Sequence, residues 1–179
     1  MQTITILDKQ FELFISSEEI QTRISELGRQ ITKDFTDEHL IIIGVLNGSF
    51  IVFADLCRAI EKECLCEFLK ISSYQGTQSS GEVTSILGLN TSIQGKSVLI
   101  VEDIVDTGLS MRFLLDELNK HNPKRLAVAT LLFKKEAFRF NYPLDYVGFE
   151  IPNKFVVGYG LDYDGLGRNL PDIYQLYTS

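Results

Sequence analysis

A chain of 179 residues, 45% hydrophobic and 23% charged, has the content of one globular unit with a full core and is too apolar for disorder. Its apolar runs fall short of the ~20 residues that cross a bilayer, and Met1–Thr5 has no basic region leading into an apolar stretch, so neither a membrane span nor a secretory signal is expected. The net charge of −7 speaks against a dedicated nucleic-acid binder, and it makes any polyanionic substrate depend on local donors and a divalent cation. Cys57, Cys64 and Cys66 are odd in number and form no C-x-x-C pair. Reduced, buried thiols in a cytoplasmic protein are therefore expected rather than zinc or a disulfide framework. His39 and His121 sit at element ends without ligand spacing and read as structural.

Ser16-Ser17-Glu18-Glu19 has the form of a capping box and opens a helix that runs to about Phe35. Leu40-Ile41-Ile42-Ile43 is an unalternating β-branched run, as expected of a strand covered on both faces. It ends in Gly44-Val45-Leu46-Asn47-Gly48-Ser49, and a second helix is predicted from Phe50 to about Ile60. Cys66–Ser72 reads as a strand. Tyr74–Glu82 is rich in Gly, Ser, Thr and Gln without apolar periodicity, and reads as a mobile loop. A short strand around Ser85–Leu89 and a turn at Gln94-Gly95-Lys96 lead into a buried strand at Ser97–Val101. A helix from about Ser110 to His121 stops at Asn122-Pro123. Strands at Leu126–Phe133, Tyr146–Phe149 and Phe155–Val157 close the pattern. Alternating strands and helices specify an α/β fold: a twisted, mainly parallel sheet with helices on both faces. In such sheets ligands bind beyond the carboxyl ends of the strands, where Leu46–Ser49, Glu102–Ser110 and Lys134 all fall.

The chemistry concentrates in Glu102–Ser110. A buried strand delivers two carboxylates, Glu102 and Asp103, and the chain turns through Asp106-Thr107-Gly108 into a helix. Backbone N–H groups of Thr107–Ser110 then converge at the positive end of that helix, with the Thr107 and Ser110 hydroxyls as added donors. Such a loop holds a phosphate monoester without a lysine, while the two acids accept from adjacent sugar hydroxyls. Together they describe a ribose 5-phosphate site. The bland alternative is a plain turn with Asp106 as a helix cap, which suits D-T-G alone better than the whole run. Neither a Walker A loop nor a G-x-G-x-x-G after the first buried strand occurs.

The stretch Val98–Ser110 resembles the signature of type I phosphoribosyltransferases. The chain is similar to the hypoxanthine-guanine branch almost end to end, through Gly44–Phe50, Ser72-Ser73-Tyr74, Leu131–Lys135, Val147–Tyr159 and Gly160–Tyr163, with Arg168 following. The resemblance implies one domain over 1–179, with a small hood from the N- and C-terminal segments. It implies purine salvage: transfer of 5-phosphoribosyl from phosphoribosyl pyrophosphate to N9 of hypoxanthine, and also guanine, with release of pyrophosphate. By the same resemblance Asp106 contacts the purine and serves as general base, and Thr107, Gly108, Leu109 and Ser110 cradle the 5-phosphate. Leu46, Asn47, Gly48 and Arg168 receive pyrophosphate. Lys134, Phe155, Val156 and Asp162 hold the purine, Lys134 donating to its 6-oxo group. Glu102, Asp103 and Asp162 are the magnesium ligands, with Glu102 and Asp103 also on the ribose. Ser73 and Tyr74 belong to a loop that closes over substrate. A homodimer or homotetramer, a cytoplasmic location and no nucleic-acid or membrane partner complete the expectation.

Each role has a physical basis. Nearby carboxylates favour an oxocarbenium-like transition state, and a general base works best in a closed, dry site. Magnesium prefers a few carboxylates, waters and substrate phosphates to a full protein cage. The chain departs from many relatives at Asn47, where a lysine is common, and at Leu109-Ser110, where Lys-Thr is common. Both changes remove side-chain charge and shift recognition toward backbone N–H groups and magnesium. A non-proline cis peptide at Leu46–Asn47 is a further family trait. The competing readings are a xanthine- or guanine-directed transferase, an RNA-binding regulator built on the same fold, and a binding module without turnover. The acidic charge balance disfavours the second, and the retained Asp106 the third.

Overall fold

The computed structural model describes residues 2–36, 39–73 and 83–177. Its larger sheet contains β3 (Leu40–Leu46), β4 (Cys64–Ser73), β5 (Val83–Leu87), β6 (Ser97–Val105), β7 (Arg125–Phe133) and β8 (Tyr146–Glu150). The spatial order is β5-β4-β3-β6-β7-β8, with β5 antiparallel to β4 and every other pairing parallel. The mainly parallel sheet expected from the sequence is thus present. The expected strand at Cys66–Ser72 begins two residues earlier, and Tyr74–Glu82 lies outside the described residues.

Helix α1 (Ser17–Asp34) starts where the capping box predicts: Ser16 Oγ accepts from the Glu19 N–H, and Glu19 Oε2 accepts from the Ser16 N–H at 2.9 Å. Ile20, Ile24, Leu27 and Ile31 recur at helical spacing and are buried. They pack with α2 (Phe50–Ala59) on one face of the sheet, against Leu40, Ile42, Leu99, Val101, Ala127 and Ala129. Helix α3 (Leu109–Asn119) covers the other face, where Met111, Leu114 and Leu118 meet Ile41, Ile43, Val98, Ile100 and Val128. Odd and even residues of the same strands feed different layers because successive strand side chains point to opposite faces. This explains why these strands read as continuous apolar runs.

A second sheet, ordered β1-β2-β10-β9, joins both ends of the chain: β1 (Thr3–Ile6), β2 (Lys9–Ile15), β9 (Val156–Val157) and β10 (Ile173–Leu176). It has its own small core of Phe11, Val157 and Tyr174.

The cysteines correct one expectation. All three are free, but Cys66 is exposed and Cys57 and Cys64 are half-buried. They line the contact between α2 and β4, with Cys57 Sγ 3.6 Å from Cys66 Sγ. The even residues of β4 face α2, which ends at Ala59 and leaves that flank of the strand partly uncovered.

Candidate active site

Strand β6 runs four residues further than its apolar segment, to Val105, so Glu102 and Asp103 lie within the strand rather than beyond it. Asp103 is 9% exposed and lies against the Leu46–Ser49 loop, whereas Glu102 lines the depression at the start of α3. The Glu102 carboxyl nevertheless folds back, and its Oε1 accepts from the Asp103 N–H at 3.3 Å. Burial, and then the neighbouring Asp103 charge, hold the Glu102 carboxyl well above its usual range. A carboxyl raised in this way stabilises the fold while protonated, below its unfolded value, and loses that contribution as pH climbs through the folded value. Glu102→Gln should therefore melt higher than wild type near pH 7, and the gap should close under acid conditions. A gap that is unchanged or wider at low pH would contradict the burial argument.

Gly48 explains the glycine in the Leu46–Ser49 loop. A Cβ there would stand 1.7 Å from Asp103 Oδ2, so the loop backbone lies directly on that carboxylate. From the other side, Gly160 approaches so closely that its own Cβ would meet the Gly48 carbonyl at 2.2 Å. The Leu46–Asn47 peptide is cis. Arg168 completes this corner: its guanidinium donates to the Gly160 carbonyl at 2.7 Å and pairs with Asp162 at 2.6 Å. Asp162 is also held by the Gly165 N–H at 2.7 Å.

At the end of β6 the chain turns through Asp106–Gly108 and enters α3 one residue earlier than expected. Gly108 precedes the helix at φ 85°, and no side chain caps it. A residue without a β-carbon suits this left-handed position; the Leu109 N–H reaches Thr107 Oγ1 at 3.5 Å, and the absence of a side-chain cap at Gly108 leaves first-turn N–H groups to an external acceptor. Glu102, Asp106, Thr107, Gly108, Leu109 and Ser110 help to line a depression of ≈ 120 Å³.

Lys134 follows β7, the strand beside β6. Its N–H donates to the Val105 carbonyl at 3.0 Å, which brings its side chain alongside the loop. Lys134 Nζ donates to Asp106 Oδ2 at 2.8 Å, with the lysine 8% exposed. Lys135, by contrast, is exposed and pairs loosely with Glu150 at 3.4 Å. The two lysines of the Lys134-Lys135 pair thus have separate environments, one buried in the site and one solvated. The described residues bring together Glu102 with Asp103, Gly48 with Asp103, Asp106 with Lys134, and Asp162 with Arg168.

Other expected groupings differ. Among the described residues no three His, Cys, Asp or Glu side chains converge on one point, so Glu102, Asp103 and Asp162 do not form a preassembled cage. Asp162 is instead turned to Arg168 and Gly165. Phe155 is 44% exposed on the smaller sheet, its ring steadied by Tyr163 at 5.9 Å and Phe11 at 6.3 Å, while Val156 is buried in β9. Ser73 ends β4, and Tyr74 lies outside the described residues. Phe138 and Tyr142 escaped the sequence reading altogether. The glycine at 108 was their only signal, since a Cβ there would strike Phe138 at 2.5 Å and the Tyr142 hydroxyl at 2.6 Å.

A parallel sheet with an acidic strand end and a glycine turn at a helix start has the geometry of an anion-binding loop at the carboxyl ends of an α/β sheet. The phosphoribosyl transferase domain model matches residues 16–164, and the chain belongs to that family. It is 46% identical to the hypoxanthine-guanine phosphoribosyltransferase of Dictyostelium discoideum, over 92% of this chain and 94% of that protein. The Aquifex aeolicus protein of the same name is 42% identical over 96% of this chain and 97% of its own length. Among solved structures, a Staphylococcus aureus hypoxanthine phosphoribosyltransferase superposes with a TM-score of 0.86 at 41% identity, covering 93% of this chain and 91% of that one.

Proposed function

We propose that this chain is a purine-salvage phosphoribosyltransferase that moves the 5-phosphoribosyl group of phosphoribosyl pyrophosphate to N9 of hypoxanthine, and also of guanine. The observation that carries the reading is the Lys134–Asp106 contact of 2.8 Å beside the Thr107–Ser110 loop. It sets a permanent donor and a proton acceptor side by side at the ends of neighbouring strands. An ammonium only donates, so it favours the 6-oxo group of hypoxanthine or guanine over the 6-amino group of adenine. In the free protein the two groups satisfy each other; an entering oxopurine takes the lysine to its O6 and presents its ring nitrogen to the carboxylate.

The bond changes follow. Purine N9 forms a bond to ribose C1, the bond from C1 to the pyrophosphate oxygen breaks, and the ring proton passes to Asp106. Glu102 and Asp103 hold the ribose hydroxyls and place negative charge near the positive sugar. Thr107–Ser110 bind the 5-phosphate through backbone N–H groups, and Leu46–Gly48 with Arg168 receive the leaving pyrophosphate. Phe155 and Val156 border the base, with Phe155 offering its exposed face for stacking.

The donors fit a magnesium ion: hard carboxylate oxygens, with Glu102 pushed upward by burial and then by the Asp103 charge, and no complete cage among the described residues. When bound, the ion neutralises charge on the diphosphate. Glu102 and Asp103 would hold it together with substrate oxygens, and Asp162 would join after release from Arg168. With Asn47 and Leu109 where relatives carry cations, activity should fall to background in excess chelator and return with added magnesium. Full activity in chelator would remove the metal from this account.

Residues 1–179 act as one phosphoribosyltransferase unit, with the terminal segments and their small sheet as its hood. A homodimer or homotetramer is expected, testable by sedimentation; a Trypanosoma cruzi hypoxanthine phosphoribosyl transferase, 40% identical with a TM-score of 0.86, has been examined for the role of its C-terminal region in oligomeric state. The three free thiols suit a cytoplasmic location. No helix among the described residues is long and apolar enough to cross a membrane. Turnover measured with each oxopurine in turn tests the activity and ranks hypoxanthine, guanine and xanthine.

A further inference from the structure

We infer that Tyr142 is a positioning residue for the 5-phosphate: its hydroxyl fixes the Gly108 peptide so that the loop N–H groups face the ligand. The inference rests on the reading of Thr107–Ser110 as the phosphate cradle. The Tyr142 Oη–H donates to the Gly108 carbonyl at 2.8 Å. One residue earlier, the Arg139 N–H donates to the Thr107 carbonyl at 3.1 Å, and Lys134 N–H to Val105 at 3.0 Å. Two carbonyls of the loop, Thr107 and Gly108, and that of Val105 at the end of β6 are therefore tied to one segment, residues 134–142.

Peptide planarity turns those bonds into an aiming device. In a trans peptide the C=O of one residue and the N–H of the next point in opposite directions. Tying back the Thr107 carbonyl aims the Gly108 N–H away from the Arg139 segment. Tying back the Gly108 carbonyl does the same for the Leu109 N–H, which in the free protein meets Thr107 Oγ1 at 3.5 Å. The Gly108 carbonyl also accepts from the Arg112 N–H at 2.9 Å as the first bond of α3, so the tyrosine adds a second, lateral anchor. Its ring is braced edge-on against Phe138 at 5.0 Å, and Phe138 against Phe133 of β7 at 5.2 Å. Burial keeps the phenol protonated, so it remains a donor. With Asn47 and Leu109 uncharged, the aim of these N–H groups carries more of the phosphate affinity than a lysine-bearing loop would ask of it.

Tyr142→Phe removes the hydroxyl and keeps the ring. The test compares wild type and variant for binding of ribose 5-phosphate, ribose and magnesium pyrophosphate by calorimetry, alongside thermal melting. The expected result is about three- to tenfold weaker ribose 5-phosphate binding, the range of one net hydrogen bond, with pyrophosphate binding unchanged and melting lowered by no more than the loss of that one bond. The KM for phosphoribosyl pyrophosphate should rise in step, and that for hypoxanthine should not. Unchanged ribose 5-phosphate binding would overturn the inference, as would equal weakening of ribose 5-phosphate and pyrophosphate, which marks general loosening. Wild-type protein that binds ribose 5-phosphate no better than ribose would overturn the cradle itself, and this inference with it.

Discussion

Replacing Asp106 with asparagine is expected to lower kcat by on the order of 10²–10⁴-fold, the usual contribution of a positioned general base, while the fold survives. Asparagine has the shape of aspartate, and its side-chain oxygen can still accept from Lys134 Nζ, 2.8 Å away in the wild type. It cannot take a proton. The nearly buried Lys134 also loses its counter-charge, a loss moderated because the Asp106 side chain is 45% exposed. The KM for phosphoribosyl pyrophosphate should change little, since the contacts proposed for the 5-phosphate are to the neighbouring backbone. A kcat within tenfold of wild type would show that the proton leaves by another route.

Gly48→Ala should be nearly as damaging for a different reason. The new Cβ would sit 1.7 Å from Asp103 Oδ2 and 2.4 Å from its Cγ, well inside van der Waals contact. Asp103 cannot readily swing aside, being 9% exposed within β6, and Gly160 closes the opposite side of the loop. Either the loop or the carboxylate must shift by about 1 Å, and misplacement of that size costs roughly 10²-fold in rate where groups must be aligned. Overpacking adds about 1–3 kcal/mol of destabilisation. Steady-state kinetics and thermal melting should therefore both report the substitution. An alanine variant with wild-type kcat/KM would mean that the loop does not need to lie against Asp103 to work.

The contrast between these variants and the wider fold shows which features a sequence makes visible. The main sheet was legible because Leu40–Ile43 and Ser97–Val101 are covered on both faces and so are apolar without interruption. The capping box placed the start of α1 for a local reason, a pair of side chains three residues apart. Strands β1, β2 and β10 were not read. Thr3–Ile6 does alternate with period 2, but it is four residues long, and its one partner, β2, is paired on its other side by β10 from the far end of the chain. The glycine turn into α3, proposed here to hold phosphate, was visible because one peptide stretch carries it.

Relations between distant residues left weaker traces. Gly48 and Gly160 appear as ordinary loop glycines until Asp103 and each other's backbones are seen beside them. Tyr142 is 34 residues from the carbonyl it holds. The expected trio of Glu102, Asp103 and Asp162 shared a chemistry but not a location, because Arg168 claims Asp162 in the free protein. The cysteines misled in the opposite direction: apolar by habit, they lie where α2 stops short of covering β4.

The central claim is that the Lys134–Asp106 pair and the Thr107–Ser110 loop serve one reaction. The most direct test is an ultraviolet assay with phosphoribosyl pyrophosphate and magnesium, supplying hypoxanthine, guanine, xanthine or adenine in turn. The account predicts nucleotide formation and pyrophosphate release with hypoxanthine and guanine and none with adenine. No turnover of any oxopurine by folded protein would contradict it.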